Sequence, residues 1–164
     1  MIYSKDPSAK LGFESRFGKF CIIEKNVVIG KRVSIGDFTF IGEGAVIDDD
    51  CHIGRFCEVR AGCVIGKGTV MGSRCTLSAN TLVGSSVIIR YNFVATDKES
   101  LSTEMQLAKP CVINDLASFG ANVVLLPGVH IGRSAIVGAC SQVRHDIPDY
   151  EVWYGNPAKF LRKV

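Results

Sequence analysis

The chain has 164 residues, 47% of them hydrophobic, which is enough for one domain with its own core, and a mild formal charge of +3. No basic run interleaves with aromatic residues and no apolar run approaches the ~20 residues of a membrane span, so neither a nucleic-acid partner nor a membrane span is expected. The opening residues, MIYSKDPSAK, lack the apolar stretch of a secretory signal, and a cytoplasmic protein is expected.

Residues 1–10 read as a lead-in. From Leu11 every sixth residue is apolar as far as Ile89, and again in the same phase from Ile113 to Val143. With Leu11 as position one, position two is glycine in most blocks, from Gly12 and Gly18 to Gly132 and Gly138. A glycine at a fixed offset marks a recurring bend, because it takes backbone angles other residues resist. Position five is small or β-branched, as in Val27, Ala45, Thr69 and Val87. If positions five and one point inward and six outward, each block is a short strand and a bend. Three blocks then close a triangular coil of eighteen residues, a parallel β-helix over residues 11–148.

Seven cysteines contain no CxxC pair, and six (Cys21, Cys51, Cys57, Cys63, Cys75, Cys111) occupy position five, where a thiol acts as a small hydrophobe. Cys57 and Cys75 fall on adjacent coils within disulfide reach, a bond that a reducing cytoplasm disfavours. Outward at position six, Val28, Val46, Val64 and Leu82 form an apolar ladder that reads as a subunit interface. The repeat breaks after IIRYNFVATDKES. The polar, glycine-free stretch that follows ends at Pro110 and suggests a loop around residues 96–110; Leu101 and Leu107 keep the phase, so a degenerate coil is the alternative.

His52 and His130 hold outward position six, and His145 lies in the exit segment. His130 is the stronger candidate for chemistry, since it follows Val94 and Val112 at eighteen-residue steps beside the break. Gaps of 78 and 15 residues between the histidines oppose a shared metal, and none is expected. In the tail, residues 149–164, Asn156 suits an N-cap and Pro157 a first helical position, so a short terminal helix is expected, with Lys159, Arg162 and Lys163 near the negative end of its dipole.

Blocks such as IGDFTFIGEGAV, and above all the ending LLPGVHIGRSAIVGACSQVRHDIPDYEVWYGNPAKFLRKV, resemble the hexapeptide-repeat family of left-handed β-helix acyltransferases, in its sugar O-/N-acetyltransferase branch. The likeness runs over residues 11–164. It implies a homotrimer that binds acetyl-CoA as acyl donor between subunits. Ala121 and Ala139 would line that groove, Arg144 would make a polar contact, and Lys159 and Arg162 would meet phosphates. It also implies a sugar or nucleotide-linked amino-sugar acceptor near the loop, among Asn92, Thr96, Lys98 and Glu99. Many members carry a histidine base at the start of this loop, and here there is none. Asp97 is the candidate in its place and His130 the reserve; the missing histidine points to an amine acceptor or an unusual base. Two other classes stay open: a non-catalytic β-helix scaffold, and a zinc-dependent γ-type carbonic anhydrase.

Overall fold

A computed structural model describes residues 3–98 and 107–164. They form a left-handed parallel β-helix of three sheets with eight, seven and nine strands. We call these faces A, B and C; they begin at Ser4–Lys5, Lys10–Leu11 and Arg16–Phe17. A strand is two residues, positions six and one of a block, and pairs in parallel with the strand eighteen residues on, as in Val28 with Val46 and Val64 with Leu82. The ladder starts at Ser4, inside the segment read as a lead-in. Among the described residues no helix is long and apolar enough to cross a membrane.

The interior is built from positions one and five. Ile41, Ile47, Ile53, Cys63 and Cys75 are fully buried, and each large aliphatic side chain so placed contributes ~1.5–3 kcal/mol. Polar groups inside are satisfied by the next coil: Thr39 Oγ1 donates to the Gly54 carbonyl (2.9 Å), and Cys63 Sγ to that of Ser78 (3.1 Å). Burial pushes the Cys63 thiol up to about 11, so it stays protonated at neutral pH. Cys57 and Cys75 are both free thiols; the Cys75 thiol is pushed up by its hydrogen bond to Cys57, and burial adds to it.

The glycines of position two serve a different purpose from the one read above. Positive φ falls on position four, in Asn26 (59°), Phe38 (58°) and Phe56 (55°) as readily as in Gly44 (67°). Position two needs glycine for close approach: a Cβ on Gly54 would lie 2.6 Å from Gly72 C and Ser73 N of the next coil.

The excursion leaves the solenoid at the corner between faces A and B. Leu82 pairs with Val112, thirty residues on instead of eighteen, twelve more than a regular coil; of the segment read as a loop or a degenerate coil, residues 99–106 lie outside the described residues. One consequence corrects the expectation for His130. Val94 lies on face A, whereas Val112 and His130 share face B, because the excursion is two-thirds of a coil.

The expected C-terminal helix is absent. Glu151–Tyr154 and Lys159–Lys163 form an antiparallel hairpin that pairs with Ile136–Val137 and extends face C. The last coil presents an open row of backbone donors and acceptors, which a strand satisfies and a helix cannot. Asn156 and Pro157, read as a cap and a first turn, instead lie in the hairpin turn, joined by a cis peptide bond, with Gly155 at φ +103°.

Candidate active site

The residues singled out from the sequence fall on two edges of the prism. At the A/B edge the loop is tied to the solenoid by backbone bonds. Thr96 donates from N and Oγ1 to the Leu125 carbonyl (3.1 and 2.9 Å). The Asp97 carbonyl accepts from Lys109 N–H, and the Lys109 carbonyl from Gly128 N–H, both at 2.8 Å. The half-buried Asp97 side chain therefore stands on a fixed stem, with exposed Lys98 beyond it. Glu99 lies outside the described residues. Cys111 closes the stem from inside, its Sγ donating to the Thr96 carbonyl (3.4 Å); burial pushes this thiol up to about 11, which removes it as a nucleophile.

One coil further on, Arg144, His145 and Asp146 join Pro127, Gly128 and Val129 around an open depression of about 440 Å³. Arg144 Nε donates to Gln142 Oε1 (2.8 Å). Asp146 holds His130: its Oδ1 accepts the His130 backbone N–H (2.8 Å), and its Oδ2 lies 3.6 Å from Nδ1. Sequence reasoning passed over Asp146. Its signal is the irregular RHDIP segment, where the repeat lapses and a carboxylate returns to the coil before.

The C/A edge carries the other set. Asn92 Nδ2 donates to Asn122 Oδ1 (2.9 Å), and the Ala121 carbonyl accepts from Cys140 N–H (2.8 Å), so Asn92, Ala121 and Ala139 lie on successive coils. The terminal hairpin crosses this edge. Gly155 donates to Ser141 Oγ (2.9 Å), and Ala158 N–H to the Gln142 carbonyl (2.8 Å). Lys159 thus begins at the end of the alanine strip. Arg162 stands farther along the strand, with Nη1 on the Lys163 carbonyl (2.8 Å), and both cations are exposed.

The residues read as cofactor contacts are therefore split. Ala121, Ala139 and Lys159 share the C/A edge, Arg144 sits on the A/B edge with Thr96, Asp97 and Lys98, and face A separates them. His52 is on face C and His130 on face B. Among the described residues no three His, Cys, Asp or Glu side chains gather in a way that would hold a metal ion.

A three-faced solenoid of six-residue blocks, with one loop and a hairpin cap, defines a hexapeptide-repeat β-helix. The family described as GMPPB C-terminal domain matches residues 6–104, and the hexapeptide repeat of succinyl-transferase matches residues 110–140. The chain belongs to the GMPPB C-terminal domain family, whose match covers more than half of it, and its repeats are of the hexapeptide type, as the second match shows. It is similar to "Putative acetyltransferase YvoF" of Bacillus subtilis, with 39% identity over 79 residues, 48% of this chain and 45% of the relative. It is also similar to "Putative acetyltransferase YJL218W" of Saccharomyces cerevisiae, with 35% identity over 95 residues, 51% of this chain and 48% of the relative. The chain thus spans about half the length of these curated relatives. In structure it resembles the polySia-specific acetyltransferase NeuO (TM-score 0.67, 19% identity, 96% of this chain and 88% of that one). It likewise resembles the polysialic acid O-acetyltransferase OatWY (0.68, 19%, 99% and 89%). Both share its fold.

Proposed function

We propose that the chain is an acetyl-CoA-dependent acetyltransferase that acts, as a homotrimer, on a sugar or nucleotide-linked amino sugar. The two-edge arrangement carries this reading. Small residues and cations line one edge, a carboxylate stands on a fixed stem at the other, and two chains side by side would complete a single site. Face B supplies a surface for association: Val28, Val46, Val64 and Leu82 stand in register and are 36–44% exposed, an apolar ladder that water penalises. The acetyltransferase names of the relatives point the same way.

Ala121 and Ala139 leave the backbone accessible for an extended pantetheine arm, and Lys159 and Arg162 offer cations to phosphates; Arg144 would reach that cofactor only from a second copy. When bound, acetyl-CoA supplies a thioester that an acceptor amine or hydroxyl attacks directly, with no covalent enzyme intermediate. Asp97 orients the acceptor or takes its proton, and a backbone N–H steadies the developing negative charge. Asn92, Thr96 and Lys98, with Glu99, surround the acceptor. His130, held by Asp146, is the reserve base. A thiol-release assay with amino-sugar nucleotides and plain sugars tests the reading. Asp97→Asn is expected to lower turnover at least ~10²-fold with coenzyme A affinity unchanged. Collapse in His130→Ala with Asp97→Asn unaffected moves the base to His130, and absence of coenzyme A binding leaves the scaffold reading.

A further inference from the structure

The position-two column at the C/A edge runs Gly18, Gly36, Gly54, Gly72, Arg90, Gly120, Gly138. Only Arg90 departs from glycine in a column where glycine is favoured for close approach. A residue kept against the packing preference of its own column is kept for its side chain. Arg90 is exposed, and among the described residues its guanidinium meets no carboxylate or carbonyl. Tyr91 follows, 58% exposed, its ring folded over the preceding coil so that a Cβ on Gly72 would lie 3.2 Å from Cδ1. Together with His52 and Val70 on face C, and Ser73, these residues enclose a cleft of about 240 Å³.

The position of the cleft gives it a role. In the position-three column Ser73 and Tyr91 lead directly to Ala121 and Ala139. The cleft therefore continues the alanine strip on the side away from Lys159, about three coils or ~15 Å from the hairpin at the ~4.8 Å spacing of paired strands. A cofactor with its phosphates at the hairpin would bring its reactive end toward Tyr91.

We infer that this cleft is the acceptor subsite and that it takes a pyranose bearing an anionic group, a carboxylate or a phosphate. The apolar face of the sugar lies on the Tyr91 ring, the anion pairs with the Arg90 guanidinium, and His52 bonds a ring hydroxyl. This role rests on the acetyltransferase reading, whereas the binding itself does not.

Titration of the full chain without acetyl-CoA, followed by saturation-transfer NMR, compares methyl glucuronide and glucose 6-phosphate with neutral methyl glucoside. At least one anionic sugar is expected to bind roughly tenfold or more tightly than the glucoside, and the one that does so identifies the anion. Arg90→Gly restores the glycine of the column, so the variant folds at least as well as the parent, and it abolishes that advantage. Tyr91→Ala weakens both the anionic and the neutral sugar. The inference is overturned if neither anionic sugar exceeds the glucoside, or if Arg90→Gly leaves the preference intact. Coenzyme A titrated in parallel separates the two readings: coenzyme A bound without an anionic preference sinks this inference alone, and no coenzyme A binding sinks the proposed function.

Discussion

Excising residues 97–108, together with Pro110→Gly, is expected to leave a folded solenoid that binds coenzyme A and transfers nothing. The splice follows from register. Leu82 pairs with Val112 thirty residues on, twelve more than a regular coil requires. Lys109 already accepts from Gly128 N–H as a position-three residue does elsewhere, for example Tyr91 from Asn122. Joining Thr96 to Lys109 therefore recreates a four-residue corner, in which Thr96, Lys109, the glycine that replaces Pro110, and Cys111 take positions two to five. The glycine is required because position-four residues sit at φ between 55° and 75°, which proline, fixed near −65°, cannot adopt. Shortening the connection from sixteen residues to four lowers its closure entropy by (3/2)RT ln 4, about 1.2 kcal/mol. For a chain of this size that raises the thermal midpoint by roughly 3–5 °C, read by circular dichroism. Thiol release should fall to background while calorimetric coenzyme A affinity stays within about twofold of the parent, since no C/A-edge residue is touched. A variant that fails to fold refutes the register argument, and one that retains turnover refutes the placement of catalytic groups on the loop stem.

Removing the cations of the hairpin, by Lys159→Ala or Arg162→Ala, is expected to weaken coenzyme A at least about tenfold by calorimetry, the worth of a charge-assisted contact. Unchanged affinity in both would reject the phosphate assignment. Val46→Asp combined with Val64→Asp places unpartnered charges in the face B ladder and should dissociate the assembly in light scattering; a parent that is already monomeric at micromolar concentration refutes the interface. Gly54→Ala should cost about 1–3 kcal/mol in urea unfolding, since its Cβ must push the next coil away, and more than Gly44→Ala, where nothing lies within 4 Å of the new methyl. A cost for Gly54→Ala no larger than that for Gly44→Ala, whose penalty is the backbone strain at φ +67°, would show that coil spacing does not select glycine at position two.

A six-residue alternation is a strictly local property, and the strands, the inward cysteines and the Val28–Val46–Val64–Leu82 ladder all follow from it because each coil repeats the geometry of the last. Ala121 and Ala139 could be named in the same way, from their place in a block, and Lys159 and Arg162 from the resemblance of the tail. Three things required the folded chain. Phase alone put Val112 and His130 on the face of Val94, and only the pairing of Leu82 with Val112 moved them to face B. The tail has good helix-capping chemistry at Asn156 and Pro157, yet it forms a hairpin because the end of a β-helix exposes backbone groups that need a strand partner. The convergence of a site is likewise a tertiary property: block positions give an inward or outward direction but not which of three edges a residue occupies once a twelve-residue excursion has rotated the count. That rotation puts Arg144 with Asp97 and leaves Ala121 and Ala139 with Asn92. It also makes Arg90 conspicuous, as the one residue in its column that the coil spacing does not explain.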